Sequence, residues 1–114
     1  MASSKIRKTQ RTVQFEVKTL KPLPVGQQVF VAGNQRVLGN WRPDGVPLTR
    51  MGENVWAGHA ILSVADAVEF KVTRGSWDTE AVDDKGVVPG NHVIKAGGDT
   101  TFRVTVAAWR DQFD

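Results

Sequence analysis

Val29-Phe30-Val31-Ala32-Gly33 is a run of apolar strand formers that ends in glycine, and Leu38-Gly39-Asn40-Trp41-Arg42-Pro43 follows shortly after. The first stretch has the composition of a well-buried strand, spanning Gln28 to Ala32. The second packs Gly, Asn and Pro around a tryptophan, which marks a turn. The same grammar extends in both directions. Upstream, Thr12 to Lys18 alternates apolar and polar residues, the period of a half-buried strand, and Lys21-Pro22-Leu23-Pro24-Val25-Gly26 breaks the chain. Downstream, strands are expected at Val46–Arg50, Val55–Leu62, Ala67–Arg74 and Thr100–Val106, with turns at Met51–Asn54, Asp83–Gly86 and Pro89–Asn91. No window keeps a helical period. Short strands at regular spacing predict an all-β, immunoglobulin-like antiparallel β-sandwich of seven to eight strands, without the Cys–Trp–Cys pattern of antibody domains.

The chain has 114 residues, enough for one domain. Its lack of cysteine excludes disulfides, a thiol nucleophile and a cysteine zinc site. Of the net charge of +3, residues 1–11 supply +4 through Lys5, Arg7, Lys8 and Arg11, leaving eleven basic against twelve acidic residues elsewhere. We expect residues 1–11 to be a disordered basic tail, 12–109 to be the domain and 110–114 to be a C-terminal tail. A body with a net charge of −1 gives no support for a nucleic-acid partner. No apolar run reaches the roughly 18–20 residues of a membrane span, so no membrane partner is expected. The first ten residues lack a signal core. Localisation is therefore left open: the chain reads as a cytosolic protein or as a domain cut from a longer secreted protein.

Catalytic motifs are missing. His59 and His92 stand alone, the first in a strand and the second in a turn, so neither a metal site nor a cofactor is expected. There is no nucleophile elbow and no phosphate-cradling loop. Asp78, Glu80, Asp83 and Asp84 cluster as a glycosidase pair would require, but they fall in what reads as a solvated loop. Glu69 and Lys71 flank Phe70 and share a strand face, either as a surface pair or with Lys71 offering its ammonium to a ligand. A binding module fits better than an enzyme.

The aromatic residues sort by context. Phe15, Phe30, Phe70, Phe102 and Trp56 lie in strands and belong to the core. Trp109 lies beyond the last expected strand, where it either caps the core or docks elsewhere. Trp41 and Trp77 both lie in turns beside Gly or Pro. A large ring held on a turn is a platform for a flat, weakly polar ligand such as the C–H face of a sugar, and Lys71 and Asn91 could supply orienting hydrogen bonds.

These residues together resemble the family 20 carbohydrate-binding modules, the starch-binding domains. The family's strand–Gly–turn with Leu-Gly-x-Trp-x-Pro is similar to Val29–Gly33 and Leu38–Pro43. Its Glu-aromatic-Lys strand is similar to Glu69-Phe70-Lys71, and its late Asn-Arg to Asn91-His92. Trp56 fits the preceding strand, and the match covers roughly residues 12–107. Thr73-Arg74-Gly75-Ser76-Trp77 looks like a branch attached to bacterial hydrolases. The resemblance implies a sandwich that binds α-1,4-glucan without catalysis, through Trp41, Lys71, Asn91 and a second Trp shortly before that Asn. Here Ala81-Val82-Asp83-Asp84-Lys85 has no aromatic residue, and Trp77 substitutes only if its loop folds back. The family's second site relies on tyrosines, which this chain lacks, so bridging of two glucan strands is not expected. The alternative is a degenerate sandwich that serves as a structural or interaction domain beside a hydrolase.

Overall fold

The computed structural model describes residues 9–113. Ten strands are present: β1 (Gln10–Thr19), β2 (Phe30–Gly33), β3 (Val46–Pro47), β4 (Thr49–Arg50), β5 (Val55–Ser63), β6 (Val68–Thr73), β7 (Ala81–Val82), β8 (His92–Ile94), β9 (Thr100–Val106) and β10 (Ala108–Trp109). They form a four-stranded sheet in the order β4-β5-β1-β9, a second in the order β3-β2-β6-β8, and a small β10-β7 pair. The two large sheets face one another across one core, giving the all-β sandwich expected. No helix among the described residues is long and apolar enough to cross a membrane.

β1 shows how the sequence builds this. Its odd positions, from Arg11 through Val13, Phe15 and Val17 to Thr19, are all buried, as strand pleating requires. It pairs with β5 antiparallel but with β9 in parallel, a pairing that the long intervening chain from Leu20 to Asp99 makes possible. Phe15 meets Phe70 of the opposite sheet edge-on, with centroids 4.9 Å apart, and Phe70 meets Phe102 at 5.2 Å. Trp56, Leu38 and Trp109 close the core.

Several expectations are corrected. The Val46–Arg50 strand is two strands, because the chain changes sheets at Leu48: β3 pairs with β2 and β4 with β5. His92 lies in β8 rather than in a turn, and β7, β8 and β10 bring the count above eight. Such short strands hold too few residues to show a period. The proposed tail ends earlier than residue 11. Arg11 continues the period of β1 onto the buried face, where its guanidinium donates to the carbonyls of Lys95 (2.8 Å), Gly98 (3.4 Å) and Asp66 (3.0 Å). The tail assignment for residues 1–8 lies outside the described residues. Residues 110–113 are not a tail either; they form a 3-10 turn packed on the domain.

Candidate functional site

The turn after β2 is built to hold a tryptophan outward. Asn34 clamps it to β6 by reciprocal bonds: its N–H donates to the Glu69 carbonyl and its side chain accepts from the Glu69 N–H, both at 3.0 Å. A 3-10 turn, Arg36–Leu38, buries Leu38 completely. The backbone then takes three left-handed residues in succession: Gly39 (φ 86°), Asn40 (φ 49°) and Trp41 (φ 68°). The first two types tolerate this region, but a bulky aromatic residue does not and is strained there. The Trp41 N–H donates to the Gly33 carbonyl at 2.7 Å, which holds the strained residue. The ring is half-buried.

Trp77 arrives from the other side. After β6, Gly75 turns at φ 115°, and a capping box between Ser76 and Thr79 opens the 3-10 turn that carries Trp77. Its loop does fold back, so Trp77 lines the same depression as Trp41. That open depression, of about 470 Å³, is lined by Trp41, Lys71, Trp77, Glu80, Asn91 and Arg110. The four sequence-predicted residues, Trp41, Lys71, Trp77 and Asn91, are thus brought together.

Their polar partners were not foreseen. Glu80, expected in a solvated loop, is 5% exposed. Its Oε1 lies 3.1 Å from Lys71 Nζ and its Oε2 lies 3.3 Å from Arg110 Nη1. Glu69 and Lys71 share a strand face but do not pair. The Asn91 amide instead donates to Glu69 Oε1 at 3.0 Å, which presents Asn91 at the rim. The other acids of the cluster, Asp78, Asp83 and Asp84, are exposed. Backbone N–H groups of Val87 and Lys85 hold the Asp83 carboxyl below its ordinary range. The sequence weighs Glu80 only in an acidic cluster and places Arg110 in a tail; their place at the depression depends on loops returning to the sheet.

His92 neighbours the site in β8 but stacks inward, 5.0 Å from Phe70 and 5.7 Å from Phe102. Burial lowers its pKa below the usual histidine value, with nearby Lys71 acting in the same direction. Trp109 caps the core, with Arg74 over its ring at 5.3 Å. Among the described residues no group of three or more His, Cys, Asp or Glu could hold a metal. Of Arg50 and Trp56, which also stack at 5.3 Å, only the arginine is accessible.

The sandwich brings two tryptophans, a lysine and an asparagine to one open depression, and its class is that of the non-catalytic carbohydrate-binding modules. Residues 10–105 match the family model of the starch binding domain, and the chain belongs to that family. An α-amylase of Niallia circulans is 30% identical over 104 residues, covering 89% of this chain and 8% of the amylase. An amylopullulanase of Thermoanaerobacter thermohydrosulfuricus is 31% identical over 75 residues, covering 62% of this chain and 5% of that protein. The chain therefore spans less than a tenth of either curated relative. Among solved structures, the family 15 glucoamylase from Hypocrea jecorina superposes with a TM-score of 0.69 at 24% identity, covering 88% of this chain and 18% of that one. The family 20 module of the maltotetraose-forming amylase from Pseudomonas saccharophila superposes at 0.61 and 22% identity, covering 82% of this chain and 98% of the module.

Proposed function

We propose that this domain binds α-1,4-glucan chains in the depression between Trp41 and Trp77, and that it serves a catalytic domain acting on starch-like polymer. The observation that carries the reading is that two separate loops deliver their tryptophans to one open depression that Lys71 and Asn91 also line. The rings stack on the C–H faces of glucose units. The Lys71 ammonium and the Asn91 amide donate to ring hydroxyls. Both rings are held before the ligand arrives, so little ordering entropy is lost on binding.

Each stacked ring contributes on the order of 1 kcal/mol beyond area burial. With a few hydrogen bonds, this supports a dissociation constant between about 10 µM and 1 mM. Affinity of that order suits a module that keeps a tethered enzyme at its polymer by effective concentration. The α-amylase and amylopullulanase relatives, far longer than this chain, support such a tether.

The test is a titration of intrinsic tryptophan fluorescence with maltoheptaose and β-cyclodextrin, for the parent, Trp41→Ala and Trp77→Ala. Saturable binding in the parent, lost in Trp41→Ala and weakened about tenfold in Trp77→Ala, is expected. Parent-like binding by Trp41→Ala would sink the assignment.

A further inference from the structure

The family match ends at residue 105, yet residues 108–113 fold onto the domain and one of them, Arg110, lines the depression between Trp41 and Trp77. β10 pairs with β7 immediately after Glu80. The Arg110 N–H donates to the Glu80 carbonyl at 2.9 Å. The Asp111 carboxylate pairs with Arg74, and the Phe113 ring sits against Gly86. The Trp109 N–H donates to the Gln112 side chain at 2.8 Å. With these ties, the segment delivers its side chains in fixed positions.

Arg110 is the side chain it delivers to the depression. Glu80 uses its two oxygens on two different cations, Lys71 and Arg110, and its side chain is only 6% exposed. That carboxylate is already paired through both oxygens. Among the described residues the two cations still carry donors without a partner: an ammonium has three N–H bonds, a guanidinium has five, and Glu80 takes one from each. Half of the Arg110 side chain is exposed, so its remaining donors face the depression and solvent. A guanidinium presents pairs of N–H bonds in one plane, a fork that suits two adjacent hydroxyl oxygens better than a point charge does.

We propose that Arg110 is a further ligand-binding residue of this site: aligned by Glu80, it donates to a vicinal hydroxyl pair of the glucan that lies on Trp41 and Trp77. The proposal rests on that depression being the glucan site. In it, Lys71 and Arg110 act as a paired donor floor held at a set separation by one buried carboxylate. Residues beyond the matched segment then determine part of the affinity.

Isothermal calorimetry with maltoheptaose on the full chain tests this, for the parent, Arg110→Gln, Arg110→Lys and Trp41→Ala, each with a thermal melt. Arg110→Gln is expected to bind about tenfold more weakly at a parent-like Tm, and Arg110→Lys to fall in between. Parent-like affinity in Arg110→Gln, with Trp41→Ala inactive, overturns the role of Arg110 and leaves the site standing. No binding by the parent, or parent-like binding by Trp41→Ala, sinks both. If Arg110→Gln melts early, the Arg110 Nε–H signal of the parent decides by NMR. Its shift on saturation with maltoheptaose supports the proposal; its immobility while the indole signals of Trp41 and Trp77 move overturns it.

Discussion

The Thr73 hydroxyl donates to the Pro43 carbonyl oxygen, 2.5 Å away, and accepts from the Gly75 N–H at 2.9 Å. Thr73 is fully buried at the end of β6. One hydroxyl therefore joins the turn that carries Trp41 to the loop that carries Trp77. The two loops are tied together through a residue that does not itself line the depression.

Thr73→Val keeps the shape and removes this tie, leaving a part-buried carbonyl and N–H without their partner. We expect a loss of about 2 kcal/mol of stability by urea denaturation. Weaker maltoheptaose binding is also expected, because the rings lose their fixed spacing. A variant that keeps full affinity would show that the two loops are positioned independently.

Glu80→Gln removes the charge that Lys71 and Arg110 share. Both cations have access to water, so the cost is less than that of breaking a fully buried pair: about 2 kcal/mol. Binding weakens as well, because neither donor is held. Equal stability of parent and variant in urea would show that the carboxylate does not anchor this floor.

Trp41→Gly separates a displayed ring from a core plug. The parent holds Trp41 at φ 68°, a conformation glycine adopts freely. Relief of that strain offsets the added freedom of the unfolded chain, so the stability change should stay within about 1 kcal/mol while binding is lost. A loss of several kcal/mol in the same melt would mean that the ring supports the core instead.

The pH dependence follows from His92. Its pKa is lowered in the folded protein from an ordinary 6.5, chiefly by burial against Phe70 and Phe102. Below pH 6.5 the unfolded chain takes up a proton that the native state resists, so stability is full above that pH and falls as pH drops toward the lowered folded value. Tm should decline from pH 7.5 to pH 5, and His92→Gln should flatten that decline. An unchanged slope in the variant would place the titration elsewhere.

How much was legible follows from the length of each pattern. β1, β5, β6 and β9 are long enough for alternation to appear, and their buried faces follow it. β7, β8 and β10 are two or three residues long, too short to carry a period; β8 forms by adding to the edge of β6, and β7 and β10 by pairing with each other. The charge of Arg11 suggests solvent, whereas its odd position in β1 turns it inward. Its three carbonyl partners come from chain segments more than fifty residues away.

The sequence by itself determined an all-β sandwich and the residue types of a sugar platform, because period-two burial and a tryptophan among turn formers are local properties of the chain. It also singled out Trp41, Lys71, Trp77 and Asn91. Tertiary structure alone decided that these four share one depression, that Glu80 is buried between two cations and that Arg110 lines the same depression rather than lying in a tail. Those facts depend on where loops return after long excursions, which is set by packing and hydrogen bonds such as that from Thr73 to Pro43 and by no pattern along the chain.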